Sequence, residues 1–190
     1  MLQWADQAIR VDTLSPSQLT HLLHLRTTWA CRSADWSSAL SFLDQLAQIQ
    51  SDDARVDAAR IALLCHLGRF TAARDVYLAS PELIESPDGP LAAAAVGRHQ
   101  DIELRDDYLA SCLAACVRGD TVTARAAAAR APSIPPLFRS DLLDAVQALE
   151  SPVADPADAR ALTTALLAYR SGLPLLGARI SAEILERHPG

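Results

Sequence analysis

The chain has 190 residues, half of them hydrophobic, with 5% aromatic and 21% charged residues, which excludes extended disorder and leaves room for one elongated domain. A net charge of −6, with the arginines scattered, excludes the clustered positive surface that nucleic acid needs. Lysine and asparagine are absent, which excludes a phosphate-loop lysine, a Schiff base and an N-glycosylation acceptor, and points to a GC-rich, bacterial gene.

The apolar content is mostly Ala and Leu, both strong helix formers, while residues that favour strands are sparse, so the expected class is all-α. A short lead-in helix containing Trp4 is expected before about Asp12. Ser15-Pro16-Ser17 then marks a helix start, because Pro is tolerated in a first turn. That helix runs to about Ser33 and is followed by helices over Trp36–Gln50, Asp53–Leu67 and Phe70–Ser80. Pro81 opens an acidic stretch punctuated by Pro and Gly that reaches about Leu104. It reads as a loop with one small helix at the apolar run Leu91–Val96. Helices over Asp106–Arg118 and Thr121–Arg130 come next, stopped by Pro132 and Pro135-Pro136. An additional helix is expected over Leu137–Leu149. After Pro152 and Pro156 the chain closes with helices over Ala157–Arg170 and Pro174–Arg187.

Two of these segments coincide when slid by 34 residues: Ser33-Ala34-Asp35-Trp36-Ser37-Ser38-Ala39 … Leu43 and Leu67-Gly68-Arg69-Phe70-Thr71-Ala72-Ala73 … Tyr77. Each has a small residue at a tight turn, an aromatic two residues on, and an Ala three further on where two helices approach. The same frame aligns Cys31 with Cys65. A third copy carries Gly119, Thr121, Ala124 and Cys116, and a weaker fourth has Gly172, Pro174, Gly177 and Tyr169 in those places. The pattern and its period resemble the tetratricopeptide repeat, a helix-turn-helix unit that stacks into a solenoid. The resemblance implies a tetratricopeptide-like α-solenoid of about four units in one domain over 1–190. The units are about 16–50, 52–80, 105–131 and 157–188, with insertions at about 81–104 and 137–149. The chain departs from the family pattern in those insertions, in Thr121 and Pro174 at the aromatic position, and in Ala34 for the turn Gly.

In that family the concave groove is lined by four positions of each first helix. Carried over, the rows are His21, His24, Thr28 and Cys31; Arg55, Ala58, Ala62 and Cys65; Asp106, Leu109, Leu113 and Cys116; and Ala159, Leu162, Leu166 and Tyr169. The resemblance thus implies a mostly apolar groove. Its binding residues are expected to be Ala58, Ala62, Cys65, Leu109, Leu113, Cys116, Leu162, Leu166 and Tyr169. The Lys and Asn that let related domains capture acidic tails are missing. The expected function is therefore that of an adaptor or chaperone holding a partner's amphipathic helix or apolar segment. It is similar in size and groove to small chaperones of type III secretion systems. The alternative is a structural or regulatory module whose groove is filled by its own chain and which acts by homo-oligomerisation or by controlling another protein.

No catalytic constellation is found: a hydrolase elbow, a zincin helix and a dinucleotide glycine fingerprint are all missing. His21 and His24 share a helical face that could hold half of a metal site, and Cys112 and Cys116 stand one turn apart. Without further ligands, the first pair reads as a polar rim and the second as small buried contacts. Asp52-Asp53 and Asp106-Asp107 read as charges at helix starts. The chain is expected to be non-enzymatic, without cofactor or metal. The segment Met1–Asp6 has neither a basic nor an apolar signal region, and no run is long enough to span a membrane. Four cysteines, none in a Cys-x-x-Cys pair, fit a reducing cytoplasm.

Overall fold

A computed structural model describes residues 14–98, 100–101, 108–130 and 156–187. The segment with Trp4 and the helix expected over 137–149 lie outside the described residues. Among those described, the chain is all helical, without a strand. The helices with described bounds are, in order, α1 (Pro16–Arg32), α2 (Trp36–Ile49), α3 (Ala54–His66), α4 (Phe70–Leu78), α5 (Pro81–Glu85), α6 (Gly89–Ala95), α7 (Tyr108–Val117), α8 (Thr121–Arg130), α9 (Pro156–Arg170) and α10 (Pro174–Arg187).

The helix boundaries have local causes. Ser15 caps α1 in a reciprocal box: its hydroxyl accepts the Gln18 N–H at 3.3 Å, and the Gln18 side chain accepts the Ser15 N–H at 2.8 Å. Asp35 caps α2 by accepting from Ser38 N–H at 3.0 Å, Asp53 caps α3 through Arg55 N–H at 2.9 Å, and Asp120 accepts from Thr123 N–H at 3.0 Å. Hydrogen bonds from Ser38 and Thr123 hold the carboxyls of Asp35 and Asp120 below the usual range.

The long hairpins turn at left-handed residues. Ala34, Gly68, Gly119 and Gly172 have φ of 54, 71, 73 and 90°. In each case the next residue donates its N–H to the carbonyl five positions back, at 2.8–2.9 Å. That bond satisfies an orphan carbonyl at the end of the preceding helix. A fifth turn of this kind, which the 34-residue offset does not find, lies at Gly97, with φ 77° and Arg98 N–H on Ala93 O at 2.8 Å.

Five residues beyond four of these turns stand Ala39, Ala73, Ala124 and Gly177, all buried. A Cβ at Gly177 would lie 2.9 Å from the carbonyl oxygen of Ala165, so only glycine lets α10 come this close to α9. The hairpin partners are α1 with α2, α3 with α4, α7 with α8, and α9 with α10.

The stretch expected as a loop with one small helix instead holds α5 and α6. Every residue of α6 is buried. Its sequence, Gly-Pro-Leu followed by four Ala, has no side chain larger than Leu91, so neighbours close around it. Helix α6 packs on both α3 and α7, and α9 lies against α3, α6 and α7 besides its own partner α10. The core gathers at this junction, where Ile61, Leu63, Leu91, Leu113 and Leu167 are at most 1% exposed. A polar chain joins the first two hairpins: Arg60 donates to Asp44 and to Asp57, both at 2.9 Å, and Ser80 donates to Asp57 at 2.6 Å.

Candidate functional site

Helix α9 packs against α3 and α7, two of the helices that carry residues assigned to the groove. Its sequence places Thr163 and Thr164 on buried positions, which is tolerable because each hydroxyl donates to a carbonyl one turn back, Ala159 at 2.8 Å and Arg160 at 2.9 Å. With those groups satisfied, Thr163, Leu167 and Ala168 are fully buried. Both ends of α9 are pinned by charge. Asp158 lies 2.8 Å from Arg187 of α10, and Arg170 lies 2.7 Å from Asp88, just before α6.

On α3, Ala58 and Ala62 are completely buried, and Cys65 is 5% exposed. Leu113 on α7 is 1% exposed. On α9 itself, Ala159 is buried, Leu162 and Leu166 are half-buried against the core, and Tyr169 is 59% exposed. The side chains of Asp106, Leu109 and Cys116 lie outside the described residues. His21, His24, Thr28 and Arg55 are exposed, and Cys31 is buried.

Among the described residues, two cavities lie beside α9. The first, of about 270 Å³, brings His24 and Thr28 of α1 together with Arg55 and Ala59 of α3 beneath the turn Ser171-Gly172-Leu173. Three residues from the expected rows therefore meet here. The Thr28 hydroxyl is engaged on the His24 carbonyl at 3.0 Å. The second cavity, of about 360 Å³, opens between the α3–α4 turn and the α9–α10 hairpin. Cys65, His66 and Phe70 line one side, and Arg160, Thr164, Ile180, Glu183 and Arg187 the other.

Cys65 and His66 meet in the second cavity, yet their chemistry is that of packing. Burial pushes the Cys65 thiol up to about 12, despite the nearby Arg160, and its Sγ donates to the Ala95 carbonyl of α6 at 3.8 Å. An activated cysteine needs the opposite shift. His66 stands edge-on to Trp36, with ring centroids 5.2 Å apart, and its pKa is lowered by burial, with Glu183 raising it and Arg179 lowering it further. Burial likewise raises Cys31 to about 11. Among the described residues no group of three or more His, Cys, Asp or Glu is placed to hold a metal ion, and no helix is long and apolar enough to cross a membrane.

Sequence reasoning missed Arg160, Phe70 and His66 as a group. They come from α9, α4 and α3, and no spacing along the chain signals their meeting. The chain matches no family model, no curated protein and no solved structure.

Proposed function

We propose that this chain is a non-catalytic, tetratricopeptide-like interaction module whose concave face is occupied by its own helix α9. It acts through its outer surfaces, by homo-oligomerisation or by control of another protein. The observation that carries this reading is the packing of α9 against α3, α6 and α7 together, with Ala58, Ala62, Cys65 and Leu113 buried. A face already covered in this way offers a partner little apolar area to bury.

Self-association has a surface to use. Leu25 and Trp29 stand one turn apart on α1, 55% and 42% exposed. Large exposed apolar side chains in register are how such contacts form. Light scattering on the purified chain should show a dimer or larger, and Trp29→Ser should give a monomer with unchanged helicity. A monomeric parent that carries a co-purifying polypeptide from its host would overturn this reading.

That outcome would favour a second one, in which a partner's apolar helix takes the place of α9, as in small chaperones of type III secretion systems. The observation on its side is that this face accepts a helix at all, and specifically one patterned Ala-Leu-Thr-Thr-Ala-Leu-Leu-Ala over residues 161–168.

A further inference from the structure

The cavity beside His66 has an unbalanced charge. Arg187 is matched by Asp158 at 2.8 Å, and Glu183 by Arg179 at 2.8 Å. Cys65 and His66 are neutral at pH 7, because burial disfavours their charged forms. Arg160 remains. Its guanidinium lies 5.1 Å over the Phe70 ring, and among the described residues no carboxylate is bridged to it.

The walls around that cation are apolar or already satisfied. Phe70 is 40% exposed with the Arg160 guanidinium over its ring, Ile180 is buried in the wall, and the Thr164 hydroxyl is engaged on the Arg160 carbonyl. The cavity's volume of about 360 Å³ is that of a small-ligand site. A planar guanidinium over an exposed aromatic ring suits one kind of guest, a carboxylate held by the N–H fork with a flat apolar body against the part of Phe70 that stays exposed.

We propose that this cavity binds a small monocarboxylate with an apolar, preferably aromatic, body, Arg160 taking the carboxylate and Phe70 the ring. Such a ligand would touch α4 and α9 at once. It would fasten the α9–α10 hairpin to the face it covers and so stabilise the whole chain by mass action. The ligand is independent of what binds the outer surfaces, so its failure would leave the interaction reading standing.

The test uses 1-naphthylacetate and its neutral amide as probes, titrated calorimetrically into the full chain. The expected result is saturable one-to-one binding of the carboxylate, with the amide at least tenfold weaker. Arg160→Gln should weaken the carboxylate to the level of the amide, while Arg74→Gln, an exposed arginine elsewhere on α4, should change nothing. Absence of saturable binding, or equal binding of carboxylate and amide, would overturn the site. Because that comparison is made on the parent chain, it holds even if Arg160→Gln does not fold.

Discussion

Ala34 is the one non-glycine residue in the left-handed region among those described, with φ 54°. Its Cβ crowds the adjoining backbone there, a conformation that costs an L residue about 1–2 kcal/mol. The turn persists because Asp35 N–H reaches Ala30 O at 2.9 Å and Asp35 at once caps α2. Ala34→Gly should therefore raise the thermal midpoint, with a net gain of about 1 kcal/mol after the added freedom of the unfolded chain. An unchanged or lower midpoint in a circular-dichroism melt would contradict this. His66 gives a second expectation at the same scale. Its folded pKa lies below the ordinary 6.5, so near that value the unfolded chain binds more protons and stability rises with pH. The contribution is complete above 6.5 and is lost as pH falls below it. Urea melts at about pH 7.5 and about pH 5.5 should differ in that direction, and His66→Gln should flatten the difference. His21 and His24, both exposed, do not face this site.

At the scale of the helices, much was legible because turn chemistry is local. The small turn residue, the aromatic or its substitute, and the Ala five positions after the turn all fall within one short window. They locate α1 to α4 and α7 to α10 within a residue or two wherever the structure describes them. The last fourfold position also reveals why the weak copy has Gly177: the α9–α10 approach is closer than Ala allows. Helix α6 was less legible. It begins inside a Pro-Asp-Gly-Pro run that reads as loop, with Gly89 and Pro90 in its first turn, and its turn at Gly97 falls outside the 34-residue offset. The site was less legible still. The tetratricopeptide resemblance implies that Ala58 and Ala62 in one row and Leu113 in the next line a common apolar groove, but whether such rows face solvent or another helix depends on segments far along the chain. In the structure all three are buried, and α9 packs against α3 and α7, the helices that carry them. Leu113→Arg would place a charge where the residue is 1% exposed, at a cost of roughly several kcal/mol. It should lose helicity outright in circular dichroism. Retained helicity with a lowered affinity for some partner would instead point to an open face.

The whole molecule differs from a string of repeats in one respect with measurable results. In a linear array each unit touches only its neighbours, so stability is a sum of local terms and ends can fray separately. Here α9 bridges α3, α6 and α7, and α10 reaches α1, so distant hairpins share contacts. Thermal unfolding followed by far-ultraviolet circular dichroism and by tryptophan fluorescence should give coincident transitions. Trp29 and Trp36 sit in the first hairpin, so in a Trp4→Phe chain an early fluorescence change would reveal independent fraying of that hairpin.

The late position of α9 in the sequence carries a consequence for how the chain is made. Helices α3, α6 and α7 leave the ribosome before the helix that covers them. The roughly fifty residues between the end of α7 and the end of α9 take about 3–10 s to synthesise at about 5–20 residues per second. For that interval Ala58, Ala62 and Leu113 are without the helix that packs against α3 and α7 in the finished fold, and the unfinished chain carries apolar surface that its last helices have yet to bury.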